Sequence, residues 1–304
     1  MDRREFVRRM AGASVAAGMA PLLGTSGALL ARQDEKAVDL VAIRGGEPEV
    51  MFDRGIEALG GIAAFVGRGS TVVVKPNIGW DVPPERGGNT NPRLVARIVE
   101  RCRDAGASKV YVFDHTCDDW KSCYRRSGIE EAATRAGATV VSGGSKSYYQ
   151  EVEIPGGRSL RSALEHELVL ESDVLINVPI LKSHGGARLT IAMKNLMGVV
   201  WDRGFWHSND LHQCIADFAA YRRPTLNVVD AYYVMKRNGP RGVSEADVAT
   251  LKAQLISTDI VAVDTAAAKL FGMEPSSIRH IALAADRKVG RMDLEHLTIT
   301  RIAV

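Results

Sequence analysis

The chain has 304 residues, 46% hydrophobic and 25% charged, with 39 Lys and Arg against 36 Asp and Glu for a formal net charge of +3. That length and apolar content suffice for a buried core of domain size, and a balance so near neutrality lacks the electrostatic footprint of a nucleic-acid binder. No run of like charge and no basic amphipathic helix marks a membrane-surface protein.

The first predicted element is an address rather than a part of the fold. Asp2-Arg3-Arg4-Glu5-Phe6-Val7-Arg8 has the twin-arginine pattern, a small-residue apolar stretch runs from Ala11 to Leu30, and Ser26-Gly27-Ala28 is a small-x-small cleavage site. Residues 1–28 are therefore expected to engage the twin-arginine export machinery and to be removed, delivering the mature chain to the periplasm. Gly12, Gly18, Pro21, Gly24 and Gly27 make this stretch too weakly apolar for a retained membrane span. Its four arginines and two acids carry +2, so the remainder carries +1. Twin-arginine cargo folds before it crosses, which leaves open a cofactor loaded in the cytoplasm.

Along the mature chain, short β-branched runs alternate with helical patterns, the signature of parallel strands joined by crossover helices. Thr71 to Val74 is a strand; Asn91-Pro92 opens a helix with Leu94, Val95, Ile98, Val99 and Cys102 on one face and Gly106 as its stop. Lys109 to Phe113 is the next strand, Ile129 to Arg135 a helix ending at Gly137, and Thr139 to Val141 a strand. The Gly-rich stretch from Ser142 to Glu167 reads as an edge insertion, with Glu151 to Ile154 as one arm of a hairpin. The rhythm resumes with a strand at Asp173 to Val178 and a helix near Asp210 to Tyr221. Strands follow at Thr225 to Val229 and Gln254 to Ser257, helices at 260–271 and 276–285, and a strand at Leu297 to Ile302. The expectation is a single α/β domain over 38–304: a mostly parallel open sheet with helices on both faces, Rossmann-like in three layers, with a short β insertion.

In such sheets ligands bind at the carboxyl ends of the strands. Those ends carry Lys75 and Asn77, then Asp114, then Lys182 and His184, then Asp230, and one crevice is expected to gather them. His184 suits proton transfer near neutral pH. Lys194 and Asn195 lie in the apolar run Thr190 to Gly198, so the ammonium of Lys194 is expected to point inward, where desolvation disfavours its charge and calls for an anion or a chemical task. Trp201, Phe205, Trp206 and His207 read as a clamp or lid that brings His207 to the site, and Asn238-Gly239-Pro240 as a further wall.

Cofactor identity stays open, because the chain has no iron-sulfur motif and neither a dinucleotide nor a nucleotide-phosphate motif. Cys102 and Cys214 read as core fillers; Cys117 and Cys123 read as a disulfide or two free thiols, and their spacing with His115 is not that of a zinc site.

The motifs Val74-Lys75-Pro76-Asn77-Ile78-Gly79, Thr90-Asn91-Pro92, Asp173 to Pro179 with Leu181-Lys182-Ser183-His184, Lys194-Asn195-Leu196-Met197-Gly198, Asn238 to Gly242, and Asp259 with Ala262-Val263-Asp264 come in the order in which the domain of unknown function 362 family carries them. The chain resembles that family over about residues 48–290. The resemblance implies that Lys75, Asn77, Lys182, His184, Lys194, Asn195, Asn238, Asp259 and Asp264 occupy family motif positions; Asp264 alternatively only caps or faces the sheet. It carries over no cluster-linked electron transfer, since the Cys-x-x-Cys segment of many relatives is missing here. The expected function is an exported enzyme that binds a small carboxylate or phosphate, with His184 moving a proton beside Lys182 and Lys194. The alternatives are a periplasmic ligand- or metal-binding protein without catalysis, and a redox accessory protein with a cofactor loaded before export.

Overall fold

Strand β1 (Leu40–Arg44) opens the fold in the computed structural model, which describes residues 37–304; the export segment at 1–28 lies outside the described residues. Helix α1 (Pro48–Glu57) leads to β2 (Thr71–Pro76), α2 (Pro92–Asp104) to β3 (Lys109–Val112), and α3 (Trp120–Arg126) with α4 (Ile129–Arg135) to β4 (Thr139–Val140). The insertion follows as β5 (Tyr149–Glu153) and β6 (Ser162–His166), an antiparallel pair apart from the main sheet. Next come α5 (Glu167–Glu171), β7 (Val174–Val178), β8 (Ile180–His184), β9 (Arg188–Thr190), α6 (Ala192–Asn195), α7 (Arg203–Ser208) and α8 (Leu211–Tyr221). Strands β10 (Leu226–Met235) and β11 (Val248–Ser257), helices α9 (Ile260–Phe271) and α10 (Arg279–Asp286), and β12 (Ile299–Ala303) complete the fold.

The main sheet runs β12-β1-β11-β10-β7-β2-β3-β4, with β8 and β9 joined to β10. Its centre, from β10 through β7, β2 and β3 to β4, is parallel; β11 lies antiparallel to both of its neighbours. The fold is thus α/β with a mixed, mostly parallel sheet. The central strands are buried on both faces, which explains why Val72-Val73-Val74 and Val174-Leu175-Ile176 read as unbroken apolar runs. One face carries α1 to α4 over a core that includes Phe52, Leu94, Ile98 and Tyr124. The other carries α6, α8, α9 and α10 over Met193, Phe218, Val263 and Ile281. Asn91 caps α2 by accepting from Arg93 N–H at 3.0 Å, and all five apolar residues predicted for its inner face are fully buried.

Going forward in sequence, β2, β3 and β4 step to one side, whereas β7 and then β10 add on the other. The reversal leaves a crevice at the carboxyl ends of β2 and β7, the place where open α/β sheets hold ligands.

Three features depart from the sequence reading, and the cysteines decide an alternative that it left open. Strand β1 and helix α1 precede the first predicted strand, and β1 is held by long-range pairing with β11 and β12. Strand β10 runs on to Met235 and pairs with a β11 that starts at Val248, so the predicted ends at Val229 and Gln254 were interior positions. Lys182-Ser183-His184 is strand rather than loop, because beyond Pro179 the chain crosses to β10 and turns back as a hairpin with β9. All four cysteines are free thiols, with Cys117 exposed and the other three buried.

Candidate functional site

A row of polar residues crosses neighbouring central strands beneath the crevice, and of them Lys75 lines it. Lys75 stands opposite Asn177, and Asn177 opposite Asn227. All three are fully buried, so each polar group needs a partner. Asn227 donates to Ser257 O at 3.4 Å, and Asn177 donates to Asn227 Oδ1 and to Ala192 O, both at 3.0 Å. Asn195 donates to Asn177 Oδ1 at 2.8 Å. Lys75 Nζ donates to Asn195 O at 2.7 Å and Oδ1 at 2.9 Å, and its ammonium lies 2.9 Å from Asp114 Oδ1. Asp114 Oδ2 accepts Ile78 N–H at 2.7 Å. Burial lowers the Lys75 pKa while Asp114 acts against that shift.

Gly198 closes over this pair. A Cβ there would sit 1.9 Å from Asp114 Oδ1 and 2.6 Å from Lys75 Nζ, so only glycine lets the backbone pass. The segment carrying Lys194 to Gly198 is anchored by Asp264, whose two oxygens accept Ala192 N–H at 2.7 Å and Met193 N–H at 3.1 Å. Burial pushes the Asp264 carboxyl up to about 8 against those two hydrogen bonds. Asp259 caps α9 through Val261 and Ala262 N–H. Neither carboxylate lines the crevice.

Above that row the cations are of another kind. Lys182, 1% exposed, donates to Gly88 O at 2.6 Å and Asn77 Oδ1 at 3.1 Å and has no carboxylate partner among the described residues. Burial lowers its pKa to about 7. Among the described residues the one hydrogen-bond partner of the Lys194 ammonium is Met197 Sδ, at 3.1 Å, and burial lowers its pKa to about 8. Arg203 donates to His115 O at 2.8 Å and Thr116 O at 2.6 Å, which fixes the loop after β3. His184 accepts Ala187 N–H on Nδ1 at 3.1 Å, and burial together with Lys194 and Lys182 lowers its pKa to about 3. A backbone N–H only donates, so the neutral ring of His184 carries its proton on Nε2.

These groups line one cavity of about 410 Å³. Of the sequence-predicted residues it brings together Lys75, Asn77, Asp114, Lys182, His184, Lys194, Asn195 and His207. Asp114 is its one acidic lining residue and is already paired with Lys75. Asp230 does not line the cavity: β10 continues past it, and its carboxylate accepts Asn91 N–H at 2.7 Å and Tyr232 N–H at 2.9 Å, tying α2 to the sheet. Asn238 does not line it either; with a positive φ of 55° it donates to Asp247 at 2.7 Å and presents Pro240 as the wall. Sequence reasoning left out His115, Arg203, Thr190 and Trp80, which line the cavity as well. His115 was within reach, since it directly follows Asp114 at a strand end; Arg203 carried no signal beyond its place in the aromatic segment. Among the described residues no three or more His, Cys, Asp or Glu gather as a metal site, and no helix is long and apolar enough to cross a membrane.

Over 254 residues the chain is 26% identical to Thylakoid-associated protein sll1697 of Synechocystis, an alignment that covers 77% of this chain and 73% of that protein. The apoprotein structure of lactate racemase from Thermoanaerobacterium thermosaccharolyticum superposes with a TM-score of 0.45 at 13% identity, over 71% of this chain. The chain spans 54% of that racemase's length. Residues 72–269 match the domain of unknown function DUF362, a span that contains every residue of the polar row and both unpaired lysines, and the chain belongs to that family.

Proposed function

We propose that the chain is an exported enzyme that takes a small carboxylate or phosphate into this cavity. One observation carries the reading: Lys182 and Lys194 face a cavity whose one carboxylate is committed to Lys75. Two ammonium groups without counter-charge in a desolvated site repel each other, and a bound anion relieves that repulsion. Lys182 and Lys194 then stabilise negative charge on the ligand, and His184 offers a hydrogen bond from Nε2. Asn77 orients Lys182, Asn195 holds Lys75, and His207 stands exposed on α7 at the cavity.

Calorimetry with inorganic phosphate and with acetate tests the binding half. Lys182→Met and Lys194→Met keep the stem volume and are expected to lose at least about tenfold in affinity each, the equivalent of about 1.4 kcal/mol. Equal affinity in wild type and both variants would sink the assignment. Mass spectrometry and metal analysis of protein purified from its native compartment separate the enzyme from its rivals: a retained small carboxylate or phosphate fits, whereas a stoichiometric metal favours a metal-binding protein and a redox cofactor favours the accessory role.

The periplasmic location rests on the Arg3-Arg4 pattern and the cleavage site after it. Replacing Arg3 and Arg4 with lysine is expected to hold the precursor in the cytoplasm, and unchanged delivery would end the twin-arginine reading.

A further inference from the structure

Of the three histidines that line the cavity, His115 and His184 have their rings held in opposite senses. Where His184 receives a backbone N–H on Nδ1, His115 has its Nδ1 2.9 Å from Val200 O, and a carbonyl only accepts. The neutral ring of His115 therefore carries its proton on Nδ1 and leaves the lone pair of Nε2 free. Stacking on Trp201 at 4.9 Å with planes 6° apart fixes the plane of the ring, and the contact with Val200 O fixes its sense, since a half-turn within that plane would put Cδ2 in place of Nδ1. Arg203 fixes the backbone beneath it. The two rings also stand in different fields: Arg203, Asp114 and Lys75 act on His115, whereas Lys194, Lys182, His207 and His212 act on His184.

From this geometry we infer that His115 is the proton acceptor of the site and His184 its fixed hydrogen-bond donor, so that the ligand is a weak acid that is deprotonated while bound. In that step an O–H or C–H bond of the ligand breaks, the proton forms N–H on His115 Nε2, and the electron pair stays on the ligand beside the ammonium groups of Lys182 and Lys194. This inference rests on the anion-binding reading of the cavity. It adds a direction: proton out at the His115 end, negative charge held at the lysine end. Burial, with Arg203 in support, lowers the His115 pKa from the ordinary histidine value, which favours the neutral ring that accepts a proton. Asp114 and the Val200 carbonyl act the other way.

Asparagine substitutions separate the two rings, because the amide of Asn imitates the Nδ1 edge of histidine. His115→Asn keeps a donor for Val200 O and deletes Nε2; His184→Asn keeps an acceptor for Ala187 N–H. Acetate binding is measured by calorimetry at pH 6 in buffers of different ionisation enthalpy; acetate is already ionised there, so a proton that reaches a ring in the complex is drawn from the buffer and is counted. At that pH Lys182 and Lys194 are already charged, so uptake reports the rings. The expected result is uptake of a fraction of a proton in wild type and in His184→Asn, and its loss in His115→Asn. Uptake that survives in His115→Asn, or that disappears only in His184→Asn, overturns the assignment. Nitrogen-15 correlation spectra of the histidine rings provide a second measurement that needs no ligand. A proton on Nδ1 of His115 and on Nε2 of His184 supports the inference, and a proton on Nε2 of His115 overturns it. If wild type binds no acetate, the anion reading fails alone, and the ring spectra still decide between the two tautomers.

Discussion

Lys75 on β2 and Lys182 on β8 reach the same cavity and are both fully buried, yet they stand in opposite chemical situations. Lys75 is saturated: it has a carboxylate, a backbone carbonyl and an amide oxygen around its ammonium. Lys182 has two neutral acceptors, and nearby Lys194 has a thioether. Burial lowers the pKa of all three, and only at Lys75 does an adjacent carboxylate oppose it directly. The difference teaches that a buried lysine at a strand end is not by itself a functional signal. The signal is a buried lysine whose counter-charge is missing from the protein.

The contrast is sharpest under substitution. Lys75→Met leaves Asp114 buried with no cation, and a cost of about 3–5 kcal/mol is expected by chemical denaturation. If Lys75→Met proves as mild as Lys182→Met, the saturated and open lysines are not different in kind. Gly198→Ala drives a methyl group into the Lys75–Asp114 pair and is expected to cost about 1–3 kcal/mol, again read from the denaturation midpoint. A Gly198→Ala protein of wild-type stability would mean that the pair has room to part.

Asp264→Asn retains one acceptor for two backbone N–H groups and turns an amide donor toward the other, for about 1–2 kcal/mol. Because Asp264 holds the start of α6, phosphate affinity is expected to fall with it, although the residue lies outside the cavity. Unchanged affinity in a destabilised protein would confine Asp264 to the fold.

The smallest stability effect is expected for Lys182→Met near the pH at which relief of desolvation offsets the orphaned Gly88 carbonyl and Asn77 amide oxygen. Its sign depends on pH. The folded Lys182 pKa, about 7, lies below its ordinary 10.5, so between those values the unfolded chain binds the extra proton and wild-type stability rises with pH. The variant is therefore favoured most at pH 7 and below, and its advantage fades by pH 10. Phosphate reverses the comparison below pH 7 by stabilising wild type alone. Thermal unfolding of both proteins across that range, with and without phosphate, is the check; a pH-independent difference would show that Lys182 is charged throughout.

The parts of this arrangement legible from sequence are those that local pattern controls. Unbroken valine and isoleucine runs marked β2 and β7, and their ends placed Lys75, Asn77 and Lys182 near one another. Strand β8 was not legible, since Lys182-Ser183-His184 has no apolar alternation and becomes strand only by pairing with β9 and β10. The same long-range pairing misled the assignment of Asp230. It looked like a strand end because apolar residues stop there, but β11 carries β10 five residues further. The division between saturated and open lysines was equally out of reach, because Asp114 sits closer in sequence to Lys75 than to Lys182 without sequence distance deciding which it pairs with.

The transverse row of Lys75, Asn177, Asn227 and Ser257 also bears on how the strands find their alignment. Along β2, Val73 and Lys75 face one core and Val72 and Val74 the other. A slip of one position would turn the ammonium into the layer of Leu94, Ile98 and Tyr124, where no oxygen awaits it, and would strand the amides of both asparagines. Apolar strands alone tolerate such errors, since one valine replaces another. The polar groups beneath the cavity thus act as a proofreading mark for the sheet, and a chain that assembles its strands out of step forfeits its binding pocket and its stability together.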